Sequence, residues 1–211
     1  MQQDQGIRLL EQTKLIVIAR GVAEQELLKT AEALLKGGVR VLEVTLNTEG
    51  ATQLIRTLQK EFGDEMWVGA GTVLSTEDAD AAAEAGAQFL VTPHTDETLI
   101  RHAVSKQLPI YPGALTPSEI VRAWNAGASA IKLFPSASLG FSYVKELMGP
   151  FDRIPFIPVG GIHAENAKQF MDIGCYALGV GSYLIQRDAM ASGEYNRIAE
   201  KARGLIQAIN R

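Results

Sequence analysis

The stretch ASAIKLFPSASLG, residues 128–140, places Lys132 within an apolar run that has the composition of a β-strand. Its neighbours are Ile131, Leu133 and Phe134, and a proline and small residues follow. A lysine is rarely buried without a partner, because its ammonium group loses hydration in apolar surroundings. The position of this cation therefore needs an explanation from the rest of the chain.

Similar apolar runs alternate with amphipathic stretches from residue 15 to the end of the chain. Nearly all of them are apolar on both faces, which is typical of parallel strands covered by helices. Eight runs have this character: LIVIAR (15–20), VLEVTLN (41–47), WVGAGTV (67–73), FLVTP (89–93), PIYPGAL (109–115), AIKLFP (130–135), FIPVGG (156–161) and ALGVGS (177–182). The stretches between them carry apolar residues on one helical face.

The predicted helices end alike, at a glycine shortly before the next strand. Glycine favours the left-handed backbone conformation that often closes a helix. These glycines are Gly38, Gly63, Gly86, Gly127, Gly149 and Gly174. No linker or composition shift interrupts the repeat, which predicts a single domain over residues 1–211 with a short helix before the first strand.

Eight βα units in one uninterrupted run predict an α/β fold, specifically a closed (β/α)8 TIM barrel. A doubly wound open sheet is the alternative. Such a sheet normally has fewer strands and a phosphate-binding glycine loop after the first of them. Here the first strand ends in ARGVAEQE, which is not a GxGxxG motif.

The composition is that of an ordinary globular protein, with 46% hydrophobic and 21% charged residues and a net charge of -4. No cluster of lysine and arginine indicates a nucleic-acid partner. The apolar runs are too short to cross a membrane, and the polar start of the chain lacks the apolar core of a signal peptide. The single cysteine, Cys175, excludes an internal disulfide and suits a reducing compartment, so we expect a cytoplasmic protein.

Acidic and basic side chains are rare within the eight predicted strands. There are three: Arg20 ends the first strand, Glu43 lies in the second and Lys132 in the sixth. Residues of a barrel strand face the interior alternately, so the polar face that carries Glu43 and Lys132 should point inward. A purely structural buried ion pair is the alternative, but desolvation makes such pairs poor stabilisers. This pattern favours a functional pair.

A lysine among apolar side chains has its charged form destabilised, which lowers its pKa. The neutral amine can then attack a carbonyl and form a Schiff base. A nearby carboxylate can move protons to and from the adjacent carbon, directly or through one water. Lys132 and Glu43 therefore predict imine-based carbon–carbon bond chemistry.

The last two strands both end in glycine-rich sequences, VGGI (159–162) and VGS (180–182). Backbone N–H groups can approach an anion closely there, and the corresponding loops of barrels often bind phosphate. Simple turn geometry is the alternative. The three histidines are scattered without metal-binding spacing, so no metal site is predicted, and His163 is expected only to open the helix after the seventh strand.

Eight motifs in order resemble the class I aldolases that cleave 2-keto-3-deoxy-6-phosphogluconate, its galactonate epimer and 2-keto-4-hydroxyglutarate. They are EVTLNT, GAGTVL, VTP, YPGALTPSE, IKLFPSASLG, GPF, PVGGI and GVGS, and they cover essentially the whole chain. The resemblance implies a (β/α)8 barrel assembled as a homotrimer, without a metal or organic cofactor. It makes Lys132 the Schiff-base lysine and Glu43 the acid and base.

The same resemblance assigns the remaining site residues. Those expected around pyruvate are Arg20, Thr72, Pro93 and Phe134, and those expected around the phosphate are Gly160, Gly161 and Ser182. Enzymes specific for the phosphogluconate substrate commonly have EVTLRT and a threonine before the paired glycines. Asn47 and Val159 stand at these substrate-contacting positions and are more similar to galactonate-type enzymes, whereas the TEG context after the second strand is gluconate-like.

The predicted reaction is the reversible cleavage of a 2-keto-3-deoxy-6-phospho sugar acid into pyruvate and glyceraldehyde 3-phosphate. Either epimer remains open as the substrate. Three alternatives are a 2-keto-4-hydroxyglutarate aldolase that gives pyruvate and glyoxylate, a barrel isomerase or epimerase of phosphosugars, and a catalytically silent barrel that only binds a sugar phosphate.

Overall fold

The computed structural model describes residues 3–210, in which nine β-strands alternate with ten α-helices. The strands are β1 (Leu15–Ala19), β2 (Val41–Thr45), β3 (Trp67–Gly71), β4 (Leu90–Val91), β5 (Ile110–Tyr111), β6 (Gly113–Ala114), β7 (Ile131–Leu133), β8 (Phe156–Pro158) and β9 (Leu178–Val180). The helices are α1 (Gln3–Thr13), α2 (Glu24–Lys36), α3 (Ala51–Phe62), α4 (Thr76–Glu84), α5 (Glu97–Ser105), α6 (Pro117–Asn125), α7 (Ser136–Met148), α8 (Ala164–Asp172), α9 (Arg187–Ser192) and α10 (Tyr195–Ile209).

All strand pairings are parallel, which confirms the predicted α/β class. One sheet has the order β5-β4-β3-β2-β1-β9, and a second has the order β6-β7-β8. Each of the eight predicted runs contains a strand, and the fifth run contains two, β5 and β6, separated by Pro112. A proline has no N–H to donate to a sheet, which accounts for the interruption.

Hydrogen bonds join the two sheets at both of their meeting points. The N–H of Lys132 on β7 donates to the carbonyl of Pro112 at 2.9 Å, between β5 and β6. At the other side, the N–H of Tyr176 donates to the carbonyl of Phe156 at 2.9 Å, and Val159 forms a parallel bridge with Gly179. The parallel strands are therefore curled around a common interior.

Alternation along the strands separates two apolar cores. The larger lies between the strands and the helices, and contains residues such as Val17, Leu42 and Leu90. The smaller, which we call the inner cluster, lies on the opposite face of the strands. Its members are Leu10, Ile16, Val41, Trp67, Phe89, Val91, Tyr111, Ala130, Ile157, Val159 and Ala177. Glu43 and Lys132 follow the parity of the inner cluster, as predicted.

Helix α1 closes the inner cluster at the amino ends of the strands. Leu10 is fully buried in that cluster. Gly6 lies directly against the indole of Trp67, so that even a Cβ atom at this position would overlap the ring. The ring in turn packs against Phe89 with centroids 4.5 Å apart and meets the edge of Tyr111 at 6.5 Å. Aromatic side chains thus fill this end of the interior.

The left-handed conformation predicted for the helix-ending glycines is confirmed at most positions. Four of the six predicted glycines are left-handed, with φ between 91° and 103°: Gly38, Gly86, Gly127 and Gly174. The expectation is wrong for Gly63 and Gly149, which are right-handed with φ of -61° and -62°. These two glycines are the C-caps of α3 and α7, where a helical φ continues the last turn. In residues 3–210 no helix combines the length and apolarity that a membrane span requires.

The packing of α1 predicts opposite effects for two glycine-to-alanine changes. Gly6→Ala should lower the free energy of unfolding by roughly 1–3 kcal/mol, because the buried Trp67 ring cannot move away from the new methyl group. Gly204→Ala is the matched control, since Gly204 lies in α10 with open space around it. It should raise that free energy by up to about 1 kcal/mol through helix propensity. Urea denaturation measures both, and a stabilising Gly6→Ala would contradict this description of α1.

Candidate active site

A cavity of about 580 Å³ lies at the carboxyl ends of the strands. This is the end of parallel-strand folds at which ligands usually bind. Seven of the predicted site residues line it: Arg20, Lys132, Phe134, Val159, Gly160, Gly161 and Ser182. Arg20, Gly161 and Ser182 are exposed, whereas Lys132 is buried, so the cavity runs from an open mouth to a closed inner end.

Four predicted residues lie outside the lining of this cavity. Glu43 lines a smaller adjoining void instead. Asn47 follows the end of β2 and is exposed. Thr72 and Pro93 are partly buried at the ends of the neighbouring strands β3 and β4. Residues 3–210 thus bring most of the predicted set together, but neither cavity is lined by Asn47, Thr72 or Pro93.

Lys132 is held at the inner end of the cavity by β7. Its side chain is 4% exposed, and its Nζ lies 4.8 Å from the centroid of the Phe134 ring. Burial lowers the pKa of the Lys132 amine because it removes hydration from the ammonium form. The carboxylate of Glu43 opposes that shift and the guanidinium of Arg20 adds to it. The neutral, nucleophilic amine is therefore more populated than for an exposed lysine.

Glu43 lies on β2, across the interior from Lys132, and is 1% exposed. Its carboxylate rests on the backbone of β3, where a Cβ at Gly71 would be 2.5 Å from Glu43 Oε1. Burial raises the pKa of Glu43 to about 7, against the opposing charges of Lys132 and Arg20. A carboxyl group with this pKa can both accept and donate a proton near neutral pH.

Glu43 and Lys132 both line a small void of about 10 Å³, together with Tyr111. The ion pairs within 4 Å among the described residues do not include this couple. A void of this size is close to the minimum that holds one water molecule. The two groups are thus close enough to influence each other's pKa.

Thr72 has a strained backbone directly beside this pair. Its φ is 56°, in the left-handed region that a β-branched residue seldom adopts. Such a conformation costs on the order of 1–3 kcal/mol and persists only where the surrounding structure enforces it. The strained residue follows Gly71, the glycine that touches the Glu43 carboxylate. Strain of this kind often marks a functional position, and the sequence contains no signal for it.

The glycine-rich loops after β8 and β9 form the mouth of the cavity. Gly160 and Gly161 have φ of 102° and 68°, and a Cβ at Gly161 would lie 2.7 Å from Ala137 Cβ. Asn166 fixes this loop, since its Nδ2 donates to the Gly161 carbonyl and its Oδ1 accepts from the His163 N–H, both at 2.8 Å. Backbone N–H groups can therefore face the cavity without obstruction by side chains.

Several lining residues were not predicted from the sequence. His163 opens α8 as expected, but it also lines the cavity, as do Tyr183 and Arg187. Each of them follows one of the two glycine-rich loops within a few residues of sequence. This closeness in sequence is the signal that could have identified them as lining residues. All ionisable lining groups of the larger cavity other than tyrosine are basic: Arg20, Lys132, His163 and Arg187. The arrangement favours an anionic ligand.

The described residues contain no group of three or more histidine, cysteine, aspartate or glutamate side chains positioned to hold a metal ion. The polar groups that converge are instead one amine, one carboxyl group and a basic mouth. They can form an imine, transfer a proton beside it and hold an anion.

The raised pKa of Glu43 predicts a pH-dependent stability difference for Glu43→Gln. The carboxyl group titrates at about 7 when folded and near 4.5 when unfolded, so its ionisation increasingly destabilises the native protein as pH rises between these values. From pH 5 to pH 8, the advantage of Glu43→Gln over wild type in free energy of unfolding should grow by roughly 2–3 kcal/mol. Urea denaturation at both pH values measures it.

Glu146→Gln is the control for that experiment, because Glu146 is exposed on α7. Its difference from wild type should stay within about 0.5 kcal/mol at both pH values. A pH-independent difference for Glu43→Gln would contradict the assignment of a raised pKa to Glu43.

Proteins similar to this chain support the chemistry of the site. The KHG/KDPG aldolase of Escherichia coli (strain K12) is 39% identical over 178 residues, which cover 84% of this chain and 83% of that protein. The 2-dehydro-3-deoxy-6-phosphogalactonate aldolase of the same strain is 38% identical over 201 residues, covering 93% and 96%.

One solved structure is similar over nearly its whole length. It is KDPG aldolase from Legionella pneumophila with pyruvate captured at low pH as a covalent carbinolamine intermediate. The TM-score is 0.88 at 28% identity, with 97% of this chain and 98% of that chain covered. Residues 7–201 match the family described as "Aldolase: KDPG and KHG aldolase", and the chain therefore belongs to this aldolase family.

Proposed function

We propose that the protein is a Schiff-base aldolase that reversibly cleaves a 2-keto-3-deoxy-6-phospho sugar acid into pyruvate and glyceraldehyde 3-phosphate. The observation that carries this proposal is the buried pair at the inner end of the cavity. Lys132 has a lowered pKa, Glu43 has a pKa raised to about 7, and both line the same small void. This pair supplies both the nucleophile and the proton carrier that the reaction needs.

Lys132 acts first, as the nucleophile. Its neutral amine attacks the C2 keto carbon to give a carbinolamine, which loses water to become a protonated imine. Glu43 accepts the proton of the C4 hydroxyl as the C3–C4 bond breaks. The bonding electrons move into the imine and leave an enamine, while the aldehyde product departs. Protonation at C3 and hydrolysis of the imine then release pyruvate and restore the amine.

The phosphate is held at the mouth, by the backbone of Gly160 and Gly161 and by Ser182. Binding the far end of the substrate there fixes the reacting carbons beside Lys132, which lowers the entropic part of the barrier. Arg20 and Phe134 contact the pyruvate part from the lining of the cavity, and Thr72 and Pro93 complete it from the adjacent strand ends.

Val159 is the residue through which we expect the sugar epimer to be distinguished. It is 6% exposed and lines both the cavity and the smaller void, whereas Asn47 lines neither. The relative named a KHG/KDPG aldolase is 39% identical to this chain, and the relative named a 2-dehydro-3-deoxy-6-phosphogalactonate aldolase is 38% identical. We propose that both epimers are cleaved.

The proposal also covers the complete fold, the oligomeric state and the cellular location. The hydrogen bonds on both sides of the two sheets support a single domain formed by a closed (β/α)8 barrel. The homotrimer is proposed from the resemblance to the aldolase family, and exposed apolar side chains are available for contacts between subunits: Leu74, Val104, Val121, Trp124 and Leu139. The single, buried Cys175 supports the predicted cytoplasmic location.

Borohydride reduction in the presence of pyruvate tests the imine. The peptide that contains Lys132 should gain the mass of one carboxyethyl group, because reduction converts the imine to a stable secondary amine. Lys132→Met should abolish both this adduct and cleavage activity. Lys60→Met, at an exposed lysine of α3, should leave both unchanged. An unmodified Lys132 peptide in wild type, measured by mass spectrometry, would refute the proposed function.

Pyruvate release from the two phosphorylated epimers, measured side by side, tests the substrate proposal. Both should react, and Val159→Thr should change the ratio of their kcat/KM values by roughly 10- to 100-fold, since a new hydroxyl can pair with only one orientation of the substrate hydroxyl. An unchanged ratio would contradict a role for Val159.

2-Keto-4-hydroxyglutarate is a second candidate substrate, because a relative named for both activities is 39% identical. It would use the same lysine without the phosphate loops. In contrast to a phosphosugar isomerase or a silent binding protein, either aldolase releases pyruvate. Activity on this acid alone, with none on the phosphorylated acids, would select it over our proposal.

A further inference from the structure

Arg187 stands at the mouth of the cavity but has no part in the chemistry described so far. It follows Ser182 by five residues and begins α9. Its side chain lines the same cavity as Ser182 and Gly161, and it is exposed. It therefore lies at the end of the cavity away from the buried Lys132.

The guanidinium of Arg187 rests on the loop that follows β1. A Cβ at Gly21 would lie 3.1 Å from an Arg187 guanidinium nitrogen, so the absence of a side chain there leaves the space that the guanidinium occupies. The loop is itself fixed, because the N–H of Gly21 donates to Thr48 Oγ1 at 2.9 Å and that hydroxyl lies 3.1 Å from Thr45 Oγ1. The long Arg187 side chain thus lies against a fixed loop at the mouth of the cavity.

The charge of Arg187 is not neutralised within the described protein. Among residues 3–210, the ion pairs within 4 Å do not include Arg187. Its neighbour Asp188 is engaged by Arg197 at 2.9 Å instead. No carboxylate of the described chain lines the larger cavity either. The guanidinium is consequently free to pair with an anionic ligand.

We propose that Arg187 binds the phosphate group of the substrate and makes the enzyme selective for phosphorylated over unphosphorylated 2-keto-3-deoxy acids. The proposal rests on the proposed aldolase function. The geometry assigns the phosphate, and not the carboxylate, to Arg187. The carboxylate adjoins the keto carbon that reacts with Lys132, and Arg20 lies close enough to Lys132 and Glu43 to influence both electrostatically. Arg187 influences neither of them and shares the exposed mouth with the two glycine-rich loops.

The glycine-rich loops and the Arg187 guanidinium can bind different sides of one phosphate group. Backbone N–H groups and the Ser182 hydroxyl can cover one side of a phosphate, and a planar guanidinium can donate two parallel hydrogen bonds to oxygens on another. A neutral hydroxymethyl group at the same place would leave both sets of donors without an anion. Selectivity for the phosphorylated substrate thus depends on a long side chain of α9, outside the strands.

Arg187→Gln is the test variant, with Arg187→Lys and Arg153→Gln as comparisons. Arg153 is exposed and precedes β8, at the opposite end of the strand from the cavity, so its loss changes net charge alone. For Arg187→Gln, kcat/KM on the phosphorylated acid should fall by roughly tenfold or more. It should stay within about twofold on the unphosphorylated acid and on 2-keto-4-hydroxyglutarate. Arg187→Lys should lose less, and Arg153→Gln should match wild type.

Two readouts do not depend on turnover. Stabilisation of the protein by inorganic phosphate, measured as a shift in Tm, should be smaller for Arg187→Gln than for wild type. The rate of pyruvate trapping by borohydride at Lys132 should be unchanged. An equal loss on all substrates, a slower trapping reaction or an unaltered phosphate shift would each overturn the proposal. Failure of wild type to trap pyruvate would instead refute the aldolase function itself.

Discussion

The burial of two opposite charges that do not touch is the constraint on which the rest of the structure depends. Lys132 and Glu43 both lose hydration, and among residues 3–210 neither takes part in an ion pair within 4 Å. Each is therefore shifted toward its neutral form, since the pKa of Lys132 is lowered and the pKa of Glu43 is raised to about 7. The fold must supply enough apolar packing elsewhere to maintain this arrangement, and the inner cluster and the helix-covered face do so.

Much of the fold is predictable because its determinants are local. Strand composition indicates all eight runs, and two-residue periodicity alone places Lys132 and Glu43 on the same face as the inner cluster. The start of α6 is equally local, because Thr116 and Glu119 form a capping box in which the Thr116 N–H donates to Glu119 Oε2 at 2.8 Å and the Glu119 N–H donates to Thr116 Oγ1 at 3.4 Å. The split of the fifth run has an equally local cause, since Pro112 interrupts the pairing. Only the extent of each strand depends on its partners.

The features of the site that sequence patterns do not reveal depend on contacts between distant segments. Arg187 reaches the loop after β1, and that neighbourhood arises because β9 pairs with β1. Asn47 shares the sequence parity of Glu43, but β2 ends at Thr45 and the chain turns away, so parity no longer describes its direction. The strain at Thr72 is likewise invisible in the sequence, because it is imposed by the surrounding packing.

Helix α1 places the aromatic filling at the amino ends of the strands, at the opposite end from the mouth. The aromatic residues Trp67 and Phe89 and the exposed mouth residues Ser182 and Arg187 therefore lie at opposite ends of the strands, and free-energy changes at well separated sites usually add. During evolution, single substitutions around the mouth can therefore be accepted without a prior stabilising mutation elsewhere. The same separation makes the loops after β8 and β9 a practical starting point for directed evolution toward new acceptor aldehydes.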